Sequence, residues 1–342
     1  MLKASTVLTM TRRRFLSAVA PLTGCLLGSK NLFAAQATIR VGITPETRPS
    51  WNGTDNFLRA IIEASQVGYR WVETFWPYVA RWEKNPEELS DILAALGLGL
   101  ETVSNFQAFD LAGSTPEAAA QLSRIVMNTN LHDPTQRKQV IDDHMRLARF
   151  ITFFECDHFK MNPGPKPPGG HTAATYREIG VTLNELGKRS KDLGLKLGVH
   201  PHVMSSMGDR KDIDAIMEQT DPQLVHLVHD THQINMEGID PVEFTRTYAP
   251  RTIEYHLKDC APQYRGGYKG SPLDSPAGLT REGGTTFELG TGGIDFPGIL
   301  FELDRIRWRG WFTVELNWTQ TTPKYSALRN KKYVEEVLGL RL

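Results

Sequence analysis

Four short apolar runs in the C-terminal half of this chain each end on a side chain that binds metal ions well. The four residues are His200, Asp230, His256 and Glu315. Parallel strands of a β/α barrel all point the same way, so residues at their C-terminal ends meet at one mouth even when they are distant in sequence. Two imidazoles and two carboxylates gathered there would suit one divalent ion with open positions for substrate oxygens. The sequence therefore predicts a four-ligand metal centre.

Alternating strand-like and helix-like stretches must position these residues. The helix-like stretches have apolar residues at three- and four-residue spacing, which is typical of helices that cover a sheet. Alternating β and α units predict a parallel sheet, and eight of them predict closure into an α/β, (β/α)8 TIM barrel of one domain. A doubly wound open sheet is the alternative, but no glycine-rich phosphate turn follows the first strand. The predicted strands are 39–43, 70–75, 98–103, 158–161, 196–200, 225–230, 253–257 and 310–316.

The first residues predict an export signal rather than part of the fold. The run Arg12-Arg13-Arg14 precedes an apolar stretch, and Ala35-Gln36-Ala37 offers a small-residue cleavage site. This pattern resembles a twin-arginine signal, so residues 1–37 are expected to engage the twin-arginine export machinery and residues 38–342 to form the barrel. We expect an exported, periplasmic protein. The alternative is a lipid-anchored one, because Leu22-Thr23-Gly24-Cys25 also looks like a lipidation site.

The charge of the chain excludes one class of partner, and its cysteine content argues against a disulfide framework. Residues 1–37 contain five basic residues and no acidic ones, so their removal would leave 34 basic against 39 acidic residues. A mildly acidic protein lacks the basic face that nucleic-acid binding requires, so no nucleic-acid partner is expected. Cys156 and Cys260 are too few for a disulfide framework, and we expect both to be unpaired.

Two connections are longer than a barrel requires. The segment 104–157 contains helical pattern at 115–127 and 134–151, and the segment 258–309 is rich in Gly and Pro. Since these connections lie at the mouth, we expect a binding role, with a surface insertion or an oligomer contact as the alternative. The oligomeric state stays open, a homo-oligomer included.

Five sequence segments together resemble the xylose isomerase-like sugar isomerase/epimerase superfamily. They are Val199-His200-Pro201-His202, His229-Asp230-Thr231-His232, Tyr255-His256-Leu257-Lys258-Asp259, Glu288-Leu289-Gly290-Thr291-Gly292 and Trp311-Phe312-Thr313-Val314-Glu315. The resemblance implies a barrel that binds one divalent ion through residues matching His200, Asp230, His256 and Glu315. It also implies enolisation next to the carbonyl of a sugar, keto-sugar or inositol derivative.

The position of His200 departs from the pattern of epimerases in this superfamily, which have a glutamate there. Loss of one of two opposed carboxylates makes two-base epimerisation less certain and β-elimination more plausible. The His-Pro-His segment resembles keto-inositol dehydratase-like members, so a keto-glycoside lyase or dehydratase is the predicted activity. Glu315 would act as the base and His202 as the acid for the leaving group. A true isomerase or epimerase and a non-catalytic sugar-binding barrel are the alternatives.

Further residues near the predicted mouth could act on substrate. Lys160 is a candidate acid or base, with a pKa lowered by a nearby cation. The predicted substrate-binding residues are Glu73, Trp76, His232 and Lys258, with core packing the alternative for Trp76 and a surface salt bridge with Asp259 for Lys258. His226 and His229 are expected to be core or supporting histidines.

The predicted ligand set limits which metal ions can bind but does not identify one. Nitrogen and carboxylate donors suit manganese, cobalt, iron, nickel or zinc better than magnesium. Loading in the cytoplasm before export would protect a weakly binding ion, so manganese is the favoured cofactor. An exported protein without a phosphate-binding loop is expected to act on a neutral sugar or keto-glycoside.

Overall fold

A computed structural model describes residues 39–45, 54–105, 126–269, 286–315, 319 and 321–342. The predicted export signal, most of the predicted helix 115–127 and the glycine-rich segment 270–285 lie outside the described residues. Among the described residues, no helix is both long and apolar enough to cross a membrane.

Eight parallel strands close into a barrel, as the sequence predicts. Every predicted strand is present within one or two residues. The barrel strands are β1 (Ile39–Thr44), β2 (Trp71–Phe75), β3 (Gly99–Ser104), β4 (His158–Met161), β5 (Lys196–Val199), β6 (Val225–Asp230), β7 (Thr252–Leu257) and β10 (Gly310–Glu315). Their order around the barrel is β1-β10-β7-β6-β5-β4-β3-β2.

Helices cover the outside of this barrel and return the chain to the start of each strand. Several begin with a side chain that accepts a backbone N–H of the first turn, including Asp209, Asp230, Asp295 and Thr322. The helices described are α1 (Thr54–Val67), α2 (Trp76–Val79), α3 (Pro86–Ala95), α4 (Arg137–Thr152), α5 (Ala173–Asp192), α6 (Arg210–Glu218), α7 (Thr231–Met236), α8 (Pro241–Tyr248), α9 (Phe296–Arg305) and α10 (Pro323–Glu336).

Side-chain alternation along the strands separates an apolar outer layer from a polar interior. On β7, Tyr255 points outward and packs against Trp308 and Phe312. Glu254 and His256, on the other face of the same strand, are buried inside the barrel. Barrel interiors are usually filled by branched apolar residues, so the charges inside this one indicate a functional role.

Two distant parts of the long segment 258–309 are joined by one buried carboxylate, that of Asp259. Two short antiparallel strands, β8 (Asp259–Cys260) and β9 (Thr286–Phe287), form a two-stranded sheet there. Asp259 accepts the backbone N–H groups of Gly290, Gly292 and Ile294, at 2.9 to 3.0 Å. Asp259 is therefore occupied by backbone and does not pair with Lys258. Cys156 and Cys260 are both unpaired, as expected.

Candidate metal centre

The four predicted ligands meet at the C-terminal end of the barrel. One donor atom from each of His200, Asp230, His256 and Glu315 lies within 4.8 Å of the other three. Strand register explains the meeting: Asp230 is paired with His256 across β6 and β7, and β10 lies on the other side of β7. Three of the four residues are buried, and the side chain of Glu315 is 12% exposed.

Helix α7 fixes the orientation of Asp230. The Oδ1 atom of Asp230 accepts the backbone N–H groups of His232 and Gln233, at 2.8 and 2.9 Å. The Oδ2 atom faces the other ligands, 3.6 Å from His200 Nε2. Burial opposes ionisation of Asp230, but Lys258 and His200 outweigh it and hold its pKa well below the usual range. Asp230 is therefore an anionic, oriented donor.

His256 and Glu315 form the second half of the centre. Nδ1 of His256 lies 2.6 Å from Oε2 of Glu315. Burial disfavours a charged imidazole, yet the surrounding carboxylates Glu73, Glu315 and Glu254 raise the pKa of His256 well above its ordinary value. Burial likewise opposes the anionic form of Glu315, and the adjacent Lys258 and His256 lower its pKa well below the usual range.

His200 gives a test of whether these residues fit a metal ion. Its ring is buried, and neither ring nitrogen has a hydrogen-bond partner among the described residues. Burial lowers the pKa of His200, so the ring is neutral and carries a lone pair. A buried polar group without a partner costs about 1–3 kcal/mol. A divalent ion shared with Asp230, His256 and Glu315 would satisfy it, and this set of two nitrogens and two oxygens fits such an ion.

Lys258 lies within the same group, which supports its predicted place at the mouth. Its Nζ is 3.5 Å from Asp230 Oδ2 and 3.4 Å from Glu315 Oε2. The side chain is 2% exposed. The alternative of a surface lysine paired with Asp259 is wrong, because Lys258 is buried between the carboxylates of Asp230 and Glu315.

His202 lies beside His200, as the two-residue spacing predicts. The two ring centroids are 5.8 Å apart. Nδ1 of His202 lies 2.9 Å from the carbonyl oxygen of Val203, and since a carbonyl only accepts, Nδ1 carries the proton. Burial and the neighbouring His200 lower the pKa of His202 to about 4. His202 is therefore a neutral imidazole whose Nε2 is an acceptor.

Lys160 and Glu73 lie deeper in the barrel than predicted. They form a buried ion pair, and Nζ of Lys160 is 3.0 Å from Nε2 of His256. This is the opposite ring nitrogen from the one beside Glu315. Burial opposes the charge on Lys160, but Glu73, Glu254 and Glu315 outweigh it and raise its pKa. The predicted lowering depends on a bound cation and stays a prediction. Glu73 contacts His256 and the Thr44 hydroxyl rather than the mouth.

The remaining histidines and Trp76 take different places. Trp76 is 1% exposed and packs edge-on against Phe150, so its alternative role in core packing accounts for it. His229 contacts Phe244 and Tyr255 in the outer core, and His226 lies 3.3 Å from the Leu197 carbonyl. His232 is buried at the start of α7, beside Asp230.

Three buried interior residues were not predicted from the sequence. Glu254 connects His256 to His158, with both contacts at 2.9 Å. Glu101 accepts a hydrogen bond from the Thr313 hydroxyl, and burial together with Glu254 and Glu73 raises its pKa well above the usual range. A usable signal was present: Glu254 and His256 stand two residues apart on one strand, as do His158 and Lys160, which places each pair on one face.

Fold and site together define a TIM-barrel enzyme with a candidate metal centre at the C-terminal mouth. Residues 61–340 match the xylose isomerase-like TIM barrel family. The chain belongs to that family.

Proteins similar in sequence or in fold agree with this family. An inosose dehydratase of Clostridium beijerinckii is 33% identical over 303 residues, which cover 87% of this chain and 95% of that protein. The crystal structure of the probable 3-DHS dehydratase AsbF of Bacillus anthracis has a TM-score of 0.61 at 14% identity, over 84% of this chain and 94% of that one. A crystal structure of IOLI protein with a bound zinc atom has a TM-score of 0.64 at 14% identity, over 88% and 98%.

Proposed function

We propose that this protein is a divalent-metal-dependent lyase that eliminates water or a glycosidic oxygen from a neutral keto-sugar or keto-inositol. The observation that carries the proposal is the composition of the centre: His200 follows β5 at the position where epimerases of this superfamily have a glutamate, so Glu315 lacks the partner carboxylate that two-base epimerisation would use. The similarity to an inosose dehydratase over nearly its whole length supports a dehydratase-type outcome.

The ion, when bound, would polarise a carbonyl of the substrate and so acidify the adjacent carbon. His200, Asp230, His256 and Glu315 would hold it. We place the proton transfers on His202 rather than Glu315, because Glu315 is tied to His256 and Lys258. In this scheme Nε2 of His202 removes the proton next to the carbonyl. The same imidazole then returns it to the leaving oxygen, so water or an alcohol departs and an unsaturated ketone remains.

Two other mouth residues would orient the substrate. Nζ of Lys258 lies between Oδ2 of Asp230 and Oε2 of Glu315. From there it would donate a hydrogen bond to a hydroxyl or keto oxygen of the substrate. His232 stands beside Asp230 on α7 and would contribute to the wall of the site. Lys160 is assigned no acid or base role, because it faces the far side of His256.

Manganese is the proposed ion, with cobalt, iron, nickel and zinc as the alternatives. A site with mixed nitrogen and oxygen donors accepts all of these, and loading before export would favour the ion that binds more weakly. The zinc seen in the structure of IOLI protein keeps zinc in consideration. Elemental analysis of protein from its native compartment would decide, and stoichiometric zinc would rule manganese out.

The activity test is incubation of metal-replete protein with a keto-inositol and a panel of 3-keto-glycosides in deuterated water, followed by NMR and mass analysis. A new unsaturated ketone with loss of water or an alcohol is the expected product. Deuterium exchange or an inverted centre without loss of a substituent would instead support an isomerase or epimerase. Binding without turnover would support a sugar-binding barrel.

We also propose periplasmic export through the twin-arginine route, on the sequence of residues 1–37 alone. Replacement of Arg12 and Arg13 by Lys should leave unprocessed protein in the cytoplasm. Normal export of that variant would remove the proposal. Mass analysis of the exported protein would separate cleavage near Ala37 from lipidation at Cys25.

A further inference from the structure

A row of alternating acidic and imidazole side chains runs through the barrel away from the mouth. Nε2 of His256 lies 2.9 Å from Oε1 of Glu254, and Oε2 of Glu254 lies 2.9 Å from Nε2 of His158. Nδ1 of His158 then lies 2.8 Å from Oδ1 of Asp157. The row therefore connects the predicted metal ligand His256 with Asp157, which directly precedes β4 at the end of the barrel opposite the mouth.

The far end of the row is anchored near solvent. Asp157 has a 43% exposed side chain, pairs with Arg40, and accepts the indole N–H of Trp311 at 3.1 Å. Arg40 in turn stacks on the Trp311 ring at 4.0 Å. His158, Glu254 and His256 between the two ends are buried. Each buried charge in the row is thus compensated by a neighbour, as buried charges must be.

The contacts at His256 determine which of its nitrogens can bind a metal ion. Oxygens of Glu254 and Glu73 lie 2.9 and 2.8 Å from Nε2. Nζ of Lys160 lies 3.0 Å from the same nitrogen, whereas Nδ1 lies 2.6 Å from Oε2 of Glu315. Nδ1 therefore faces the predicted ligands, and Nε2 faces the interior of the barrel. An ion bound at the centre would take the lone pair of Nδ1 and leave the ring proton on Nε2, where an ionised carboxylate accepts it. Metal binding requires that lone pair, and the partner of the other nitrogen fixes the tautomer.

Glu254 is better placed than Glu73 to impose this orientation. It stands two residues before His256 on β7, so both side chains enter the barrel from the same face. Its second oxygen, Oε2, contacts the ring of His158 at 2.9 Å. Glu73 is shared with Lys160 and the Thr44 hydroxyl. The strand and His158 therefore leave Glu254 in one position.

We propose that Glu254 is a positioning residue for the metal ligand His256. His158 and Asp157 support it from the end of the barrel at which the strands begin, which we call the closed end. Glu254 holds the proton of His256 on Nε2 and turns Nδ1 toward the metal centre. This deepens the proposed metal centre and does not depend on the reaction catalysed there.

The test is cobalt(II) affinity and the visible spectrum of the cobalt-loaded protein. Glu254→Leu should weaken affinity by about 10- to 100-fold, the usual effect of losing a partner of a ligating histidine, and shift the ligand-field bands. Glu254→Gln keeps an acceptor for Nε2 and should restore much of the affinity. Asp157→Asn, at the far end of the row, should show a smaller loss in the same direction.

Glu101 provides the matched control. It is a fully buried interior glutamate that hydrogen-bonds Thr313, and Glu101→Gln should leave cobalt affinity and spectrum unchanged. In zinc-loaded protein with ¹⁵N-labelled histidine, His256 should show its proton on Nε2 in the wild type and lose that preference in Glu254→Leu.

Three results would overturn the proposal. One is cobalt affinity of Glu254→Leu within twofold of wild type, and another is an equal loss in Glu101→Gln. A third is a proton on Nδ1 of His256 in the zinc-loaded wild type. If Glu254→Leu does not fold, Glu254→Gln, Asp157→Asn and the wild-type tautomer still decide. Wild-type cobalt binding is measured first, so a failed metal centre is distinguished from a failed positioning role.

Discussion

The mouth and the closed end of this barrel both contain buried histidines and carboxylates, but the histidines differ in their hydrogen-bond partners. At the closed end, His158 is satisfied on both ring nitrogens by Asp157 and Glu254. At the mouth, both ring nitrogens of His200 lack a hydrogen-bond partner among the described residues. Paired charges stabilise the fold, whereas an unsatisfied donor set marks the place where a ligand supplies the missing interaction.

The largest expected effect follows from removal of a mouth ligand. Glu315→Ala should abolish turnover, because it removes a predicted metal ligand and leaves Lys258 with Asp230 as its nearest carboxylate. Steady-state kinetics on the keto-sugar that proves to be a substrate would measure it. A variant that kept more than a tenth of wild-type activity would show that the centre functions without Glu315.

Loss of His202 should have the next largest effect. His202→Ala is expected to slow elimination by roughly 10²- to 10⁴-fold, the usual range for one acid–base residue, and to slow solvent deuterium exchange with it. Metal content should be unchanged. Exchange that persisted at full metal occupancy would make Glu315 the base and leave His202 only the proton for the leaving group.

A change of ligand type at the mouth should alter the product rather than the rate alone. His200→Glu would restore two opposed carboxylates, and epimerised product should rise relative to unsaturated product. NMR product ratios would measure the change. An unchanged ratio would show that residue 200 does not steer the reaction.

At the closed end the main effect of a substitution should appear in the stability of the fold. Burial disfavours charged His158, but Asp157 and Glu254 outweigh it and raise its pKa from 6.5 to about 10. A raised pKa stabilises the fold fully below about 6.5, and the contribution is lost as pH rises toward 10. Wild-type free energy of unfolding should therefore fall across that window, on the order of a few kcal/mol. In His158→Gln, denaturant titrations should show a much smaller fall, and an equal fall would contradict the assignment.

The sequence predicted the barrel and the meeting of the four candidate ligands because both depend on local signals. Apolar runs alternate with helical pattern, and the donor residues stand at strand ends. Parallel strands bring such ends together without any knowledge of side-chain packing. That is why His200, Asp230, His256 and Glu315 were found despite separations of 26 to 59 residues.

Depth along the barrel could not be predicted in the same way. Lys160 lies within β4, and the stagger between neighbouring strands places it below His256 rather than at the mouth. Trp76 directly follows β2, but helix α2 begins there and turns the indole into the core. Glu254 was missed because its partner His158 is distant in sequence, and the two residues meet only across the interior of the folded barrel.

Metal stoichiometry of three proteins tests the contrast between mouth and core most directly. Wild type, His256→Ala and His226→Ala would be stripped of metal, reloaded with manganese, desalted and assayed by elemental analysis. His226 is the control histidine, since its ring contacts the Leu197 carbonyl and it does not belong to the predicted ligand set. We predict one ion per chain in wild type and His226→Ala, and much less than one in His256→Ala. Equal metal content in all three proteins would contradict the assignment of the centre.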